Sequence, residues 1–270
     1  MILGRVSMNA DDVALEVFGA IKSASQIQPF SERGLNLSNS DAYEVARALF
    51  HLRGWENVGR KIGFTNRSIW PIYSVNEPMW GTISNSSLVY AENNTAVVNL
   101  REFCEPRIEP EIVISLKECP PNDPSIEQIV KCVDWVAPGF EIVDSIYPNW
   151  KFSVPDTIAA GGLHGKLIIG RKVKSTENIN NLLINQKVSL SKNGEMIEKG
   201  SGDNVLNGPI SAIQYLLRGI EKEINESRLR DGDFVTTGTL TDAKPIYSGE
   251  TWTALFEGII NTTLKIEFLQ

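Results

Sequence analysis

The chain has 270 residues, with 26 Lys and Arg against 33 Asp and Glu, a formal net charge of −7. Hydrophobic residues make up 42% and charged residues 22%. That balance excludes a disordered or fibrous chain and leaves enough apolar surface for a sizeable core in one or two domains. The acidic excess, with no run of Lys or Arg, excludes nucleic acid or an anionic membrane surface as the main partner.

The first sixty residues read as helical. Asp11 and Asp12 are placed to cap a helix whose apolar positions Val13, Val17, Phe18 and Ile21 share one face. A second helix is predicted from Ser40-Asp41, with Glu44 as capping partner, burying Ala42, Val45, Ala46, Leu49 and Phe50 and stopping at Gly54. Short, often β-branched runs follow, bounded by Gly, Pro, Asn and Asp. They are Val97–Leu100, Glu111–Leu116, Phe140–Val143, Leu167–Ile169, Val188–Leu190, Phe234–Thr237, Thr251–Phe256 and Thr263–Phe268. Asn193-Gly194 between two such runs predicts a hairpin. Two helices interrupt this region, one with Ile126, Ile129, Val130 and Val133 on a face, the other with Val205, Leu206, Ile210, Ile213 and Leu217 around Gly208-Pro209.

Three cysteines, Cys104, Cys119 and Cys132, form neither a CxxC pair nor a disulfide framework, as expected in a reducing compartment. The amino-terminal MILGRVSMNADD is too short in apolar residues for a signal peptide, and no stretch approaches the roughly 18 apolar residues of a membrane span. A cytoplasmic location is the expectation.

Nucleotide-binding, zinc-protease and serine-hydrolase signatures are absent, and only two histidines, His51 and His164, occur. Any catalysis must therefore draw on carboxylates, lysine and hydroxyls. In Arg107-Ile108-Glu109-Pro110-Glu111-Ile112, side chains two apart in an extended chain share a face, so Glu109 and Glu111 converge opposite Ile112 and Ile114. Such a pair either repels as two solvated groups on a strand edge or grips a hard divalent cation through oxygen. Glu141 lies in the apolar run Val136–Val143, where an acid needs a partner: a shared cation or a basic residue. Lys61, flanked by Gly59 and Gly63, is either a surface lysine after a turn or a partly desolvated proton donor. The Asp231–Thr239 segment ends in hydroxyls around Gly238, which suits a β turn or a cradle for an anion. His164, on the glycine-rich loop Gly161–Gly165, is a donor or a satisfied loop histidine.

Taken in order, Gly59–Thr65, Val75-Asn76-Glu77-Pro78-Met79-Trp80-Gly81, Pro106–Ile112, Phe140–Ser145, Asn149-Trp150-Lys151, Asp156–Ala159 and Gly232–Thr239 resemble the 2-keto-4-pentenoate hydratase and 4-oxalocrotonate decarboxylase family of the fumarylacetoacetate hydrolase superfamily. The resemblance implies an α+β fold, with a mixed β-roll body over residues 61–270 and a small helical N-terminal region over 1–60. It further implies a Mg²⁺ or Mn²⁺ ion held by Glu109, Glu111 and Glu141, an active-site lysine at Lys61, and substrate contacts from Asp156, His164 and Thr239. The activity implied is that of a lyase on a 2-oxo or 2-hydroxydienoate acid, through a metal-stabilised enolate, in a homo-oligomer. Competing expectations are a hydrolase cleaving the C–C bond of an acylpyruvate-like diketo acid, and a non-catalytic metal or 2-oxo-acid binding protein. The chain departs from the pattern where Asp-x-x-Ala-Asp-Asn is usual: here Ala160-Gly161-Gly162 follow Ala159.

Overall fold

The computed structural model describes residues 9–270. The segment read above for a signal peptide falls largely on residues 1–8, outside the described residues. The helices are α1 (Ala10–Lys22), α2 (Asn39–Arg53), α3 (Trp70–Tyr73), α4 (Ile126–Cys132), α5 (Val154–Ala159), α6 (Ile179–Ile184) and α7 (Pro209–Lys222). The first seven strands are β1 (Asn57–Gly63), β2 (Met79–Ser84), β3 (Leu88–Tyr90), β4 (Thr95–Asn99), β5 (Pro106–Leu116), β6 (Val133–Asp144) and β7 (His164–Ile169). The remaining seven are β8 (Val173–Lys174), β9 (Lys187–Lys192), β10 (Glu195–Ser201), β11 (Phe234–Thr239), β12 (Lys244–Pro245), β13 (Thr251–Glu257) and β14 (Thr262–Leu269).

The amino-terminal helices form where apolar spacing and caps agree. Asn9, not Asp11 or Asp12, caps α1, and the two aspartates fall in its positive first turn. Ser38 and Asp41 make the capping box of α2, so Glu44 is not needed for it, and Gly54 ends the helix. Such a cap contributes about 1 kcal/mol. Helix α1 packs on α2, and α2 on α5. Val133 opens β6 rather than closing α4, because an extended chain there pairs with β5. Val205 and Leu206 precede α7, which begins at Pro209, the helix position that tolerates a missing N–H.

Two sheets make up the body. The larger runs β2-β1-β11-β5-β6-β7-β3, with β12 beside β5 and β8 beside β6; the smaller runs β10-β9-β13-β14-β4. All eight apolar runs expected as strands fall in these sheets except for Leu100, which opens a 3-10 turn after β4, and the Asn193-Gly194 turn joins β9 to β10. Strand β1 was not foreseen, because Arg60 and Lys61 disguise an interior strand as a polar turn. Both charges are buried: Arg60, 1% exposed, donates to Glu226 at 2.8 Å, while Lys61 emerges on the other face.

Alternation along β5 separates two environments. Ile108, Ile112 and Ile114 point into the main core, where each buried side chain contributes roughly 1.5–3 kcal/mol. Val113 points the other way, into a small cluster with Ile83, Ala137, Leu167 and Ile169. Glu109 and Glu111 share the face of Val113. The antiparallel register sets Glu109 opposite Glu141 and Val113 opposite Ala137, so three carboxylates emerge on one face of two adjacent strands.

Candidate metal centre

Glu109, Glu111 and Glu141 each offer a carboxylate oxygen, and these oxygens lie within 4.8 Å of one another. Glu111 and Glu141 are fully buried. Glu109 stands between them and a cavity of about 530 Å³, whose wall includes Lys61, Arg107 and Thr239. Phe64, Trp150 and Phe152 supply its apolar side. Arg107, two residues before Glu109 on β5, stacks its guanidinium 4.0 Å from the centre of the Trp150 ring.

Each acid is held by a different element. Glu111 Oε2 accepts 2.9 Å from the Gly238 N–H, where β11 bulges between Thr236 and Thr239. Gly238 has φ +96°, and a Cβ there would stand 1.8 Å from Thr65 Oγ1, so the donor position demands glycine. Glu141 Oε1 lies 2.7 Å from His164 Nδ1, and Glu141 Oε2 lies 3.3 Å from Lys61 Nζ without hydrogen-bond alignment. Lys61 comes from β1, paired between β2 and β11, and is 4% exposed. The turn at Gly161–Leu163 lies along its stem: a Cβ on Gly162 would approach Lys61 Cδ to 3.0 Å. Part of the departure from the family pattern therefore makes room for the alkyl chain of Lys61.

The electrostatics are those of a site short of positive charge. Burial raises the Glu109 carboxyl to about 7; Lys61 opposes the rise and Glu141 adds to it. Glu111 is pushed well above the usual carboxylate range, by burial first and then by Glu141 and Glu109. Burial acts on Glu141 in the same sense, but Lys61 and His164 together hold it below its ordinary value. On Lys61, burial favours the neutral amine, yet the three glutamates outweigh it and keep an ammonium. Were all three carboxylates ionised, as ligands to a cation must be, the one ammonium would leave two negative charges uncompensated.

Glu111 Oε1 has no hydrogen-bond partner at all, and Glu141 Oε2 has none beyond its ion pair. Buried oxygens left in this way are costly unless a further cation meets them. The donor set is all oxygen, which suits a hard divalent ion. The residues present fit such an ion.

Two residues expected at the substrate lie elsewhere. Asp156 does not line the cavity; it is 1% exposed and spends its carboxylate on the N–H and hydroxyl groups of Ser31 and Ser153, capping α5 and tying it to the Ser31 turn. His164 lies behind Glu141, with its ring between that acid and Ser87. From the start of β7 its imidazole reaches the buried acid rather than the cavity where a substrate contact was expected. Thr239 does line the cavity. Arg107 was not singled out, though period-two spacing from Glu109 was a readable signal. Gly238 lay in the segment read as a turn or an anion cradle, and the anion its N–H meets is Glu111; Ser87 carried no comparable signal, since its role arises from a contact far along the chain.

The model of the fumarylacetoacetate hydrolase C-terminal family matches residues 65–265. A 2-hydroxyhexa-2,4-dienoate hydratase of Comamonas testosteroni is 26% identical over 264 residues, covering 94% of this chain and 95% of the relative. A 4-oxalocrotonate decarboxylase of Pseudomonas sp. (strain CF600) is 28% identical over 235 residues, covering 85% and 86%. Among solved structures, a 4-oxalocrotonate decarboxylase from Pseudomonas putida G7, complexed with magnesium and adipate, superposes with a TM-score of 0.87 at 25% identity, covering 96% of this chain and 97% of that one. With the α+β architecture and the family match spanning most of its length, this chain belongs to the fumarylacetoacetate hydrolase family.

Proposed function

We propose that the chain is a metal-dependent lyase of the hydratase or decarboxylase type, acting on a 2-oxo or 2-hydroxydienoate acid. Glu109, Glu111 and Glu141 are the residues that would hold the cation, and Lys61 is the catalytic lysine. The observation carrying this reading is the pair of under-partnered buried oxygens, Glu111 Oε1 and Glu141 Oε2, converging with Glu109 beneath the cavity. The names of the relatives, a dienoate hydratase and oxalocrotonate decarboxylases, one of them with magnesium, support it.

Mg²⁺ or Mn²⁺ bound there supplies Lewis acidity toward the oxygens of a 2-oxo acid. The chain's own groups do the rest. Lys61, held as an ammonium, places N–H donors where charge grows on the substrate oxygen and carries a proton to give. Arg107 presents a cation at the cavity wall, positioned by Trp150, to a substrate carboxylate. Phe64, Trp150 and Phe152 exclude water from the carbon skeleton. Thr239 adds a hydroxyl at the wall.

The hydrolase alternative needs a histidine free to activate water. His51 is exposed on α2, and His164 is engaged on both ring nitrogens. We further infer a homo-oligomer; Val97, Leu255 and Leu269, exposed on one face of the smaller sheet, support it, and light scattering tests it.

Metal content after chelation and reloading, compared with the Glu109→Gln/Glu111→Gln/Glu141→Gln variant, tests the site. Loss of the dienol absorbance of a 2-hydroxydienoate, set against CO₂ release from 4-oxalocrotonate, separates hydration from decarboxylation. Unchanged metal content in the triple variant would remove the basis of the reading.

A further inference from the structure

We propose that His164 and Ser87 are a positioning pair that decides which oxygen of Glu141 faces the cation. This rests on the metal reading of the three glutamates. An ionised carboxylate only accepts, so the hydrogen in the 2.7 Å contact belongs to His164 Nδ1 and is donated to Glu141 Oε1. The other ring nitrogen, Nε2, meets Ser87 Oγ at 2.8 Å. Ser87 is itself fixed, 2% exposed, with its N–H donated to Ser84 Oγ, and its one hydroxyl hydrogen is then the donor to Nε2. The ring is thus braced at both ends, and its side chain is 4% exposed. With Oε1 occupied, Glu141 offers Oε2 alone toward Glu109, Glu111 and Lys61.

The backbone is built for this contact. Pairing of β6 with β7 sets Ile142 opposite Lys166 but Val143 opposite His164, so Gly165 is an extra residue in β7. Without that bulge His164 would fall on the far face of the sheet. With it, the imidazole shares the face of Glu141 and Val143. An anchor of this kind does not bind the ion; it orients the group that does, and losing one typically weakens metal affinity 10- to 100-fold.

The test uses two substitutions of similar polarity. His164→Asn keeps a donor where Nδ1 stands and loses the reach to Ser87; His164→Gln keeps a group near Nε2 and loses the donor to Glu141. Binding of Mn²⁺ to the purified full chain, read from the EPR signal of the free ion, gives the affinity directly and needs no turnover. Glu141→Gln is the control for the metal reading.

We expect affinity within about 3-fold of the parent in His164→Asn, a loss of roughly 10-fold or more in His164→Gln, and a loss of a few-fold in Ser87→Ala. Equal affinity in the Asn and Gln variants, both tight or both weak, would overturn the positioning role, as would a tight Gln variant beside a weak Asn one. If Glu141→Gln binds Mn²⁺ as the parent does, the metal reading itself fails, an outcome distinct from the others.

Discussion

Glu109→Gln should make the metal-free protein more stable while abolishing its response to the cation. Glu109 makes no hydrogen bond and sits where burial and Glu141 disfavour its charge; its carboxyl is raised from 4.5 to about 7. A carboxylate whose folded value is raised contributes stability below its unfolded value, and that contribution is lost as pH rises through the folded one. At pH 8 the side chain is charged in both states, and holding that charge in the folded protein costs about 3 kcal/mol. Gln removes that cost, a rise in Tm of roughly 6–10 °C for a domain of this size. At pH 5.5 the parent carries a proton there when folded, so the advantage should shrink by about 2 kcal/mol. Magnesium at 100 times its dissociation constant adds about 2.7 kcal/mol to a protein that binds it. The parent should gain this and the variant should not. Thermal melts followed by circular dichroism, with chelator and with Mg²⁺, at both pH values, give all four comparisons. A metal-free variant less stable than the parent at pH 8 would refute the reasoning, because the three carboxylates would then not be in electrostatic conflict.

Metal binding near pH 6.5 should release protons, since Glu109 is largely protonated there before the ion enters and burial pushes Glu111 the same way; calorimetric enthalpies that do not change with the buffer's heat of ionisation would contradict this. Gly238→Ala should cost at least about 2 kcal/mol in denaturant melts and weaken Mg²⁺ binding, because the added Cβ collides with Thr65 and moves the N–H that holds Glu111. Asp156→Ala should cost about 3 kcal/mol by removing a buried cap, yet leave KM and metal affinity near the parent's values. A raised KM with unchanged stability would instead return Asp156 to the substrate.

Much of this protein follows from local rules on its chain. The alternation Ile108, Glu109, Ile112, Ile114 already assigns the glutamates and the isoleucines to opposite faces, because a strand has a period of two whatever it packs against. Caps and turns at Ser38, Gly54 and Asn193-Gly194 are similarly local, resting on hydrogen bonds and dihedrals within a few residues. Tertiary structure decided what the charges do. Lys61 and Glu141 are 80 positions apart and meet only because β1 enters the sheet beside β11 while β6 pairs with β5. Asp156 is drawn away from the cavity by Ser31, 125 residues distant, and His164 is turned onto Glu141 by a bulge of one residue. Desolvation, the largest influence on all three acids, belongs to no segment of the sequence: it exists only once both sheets and the Gly161–Leu163 turn have closed around them.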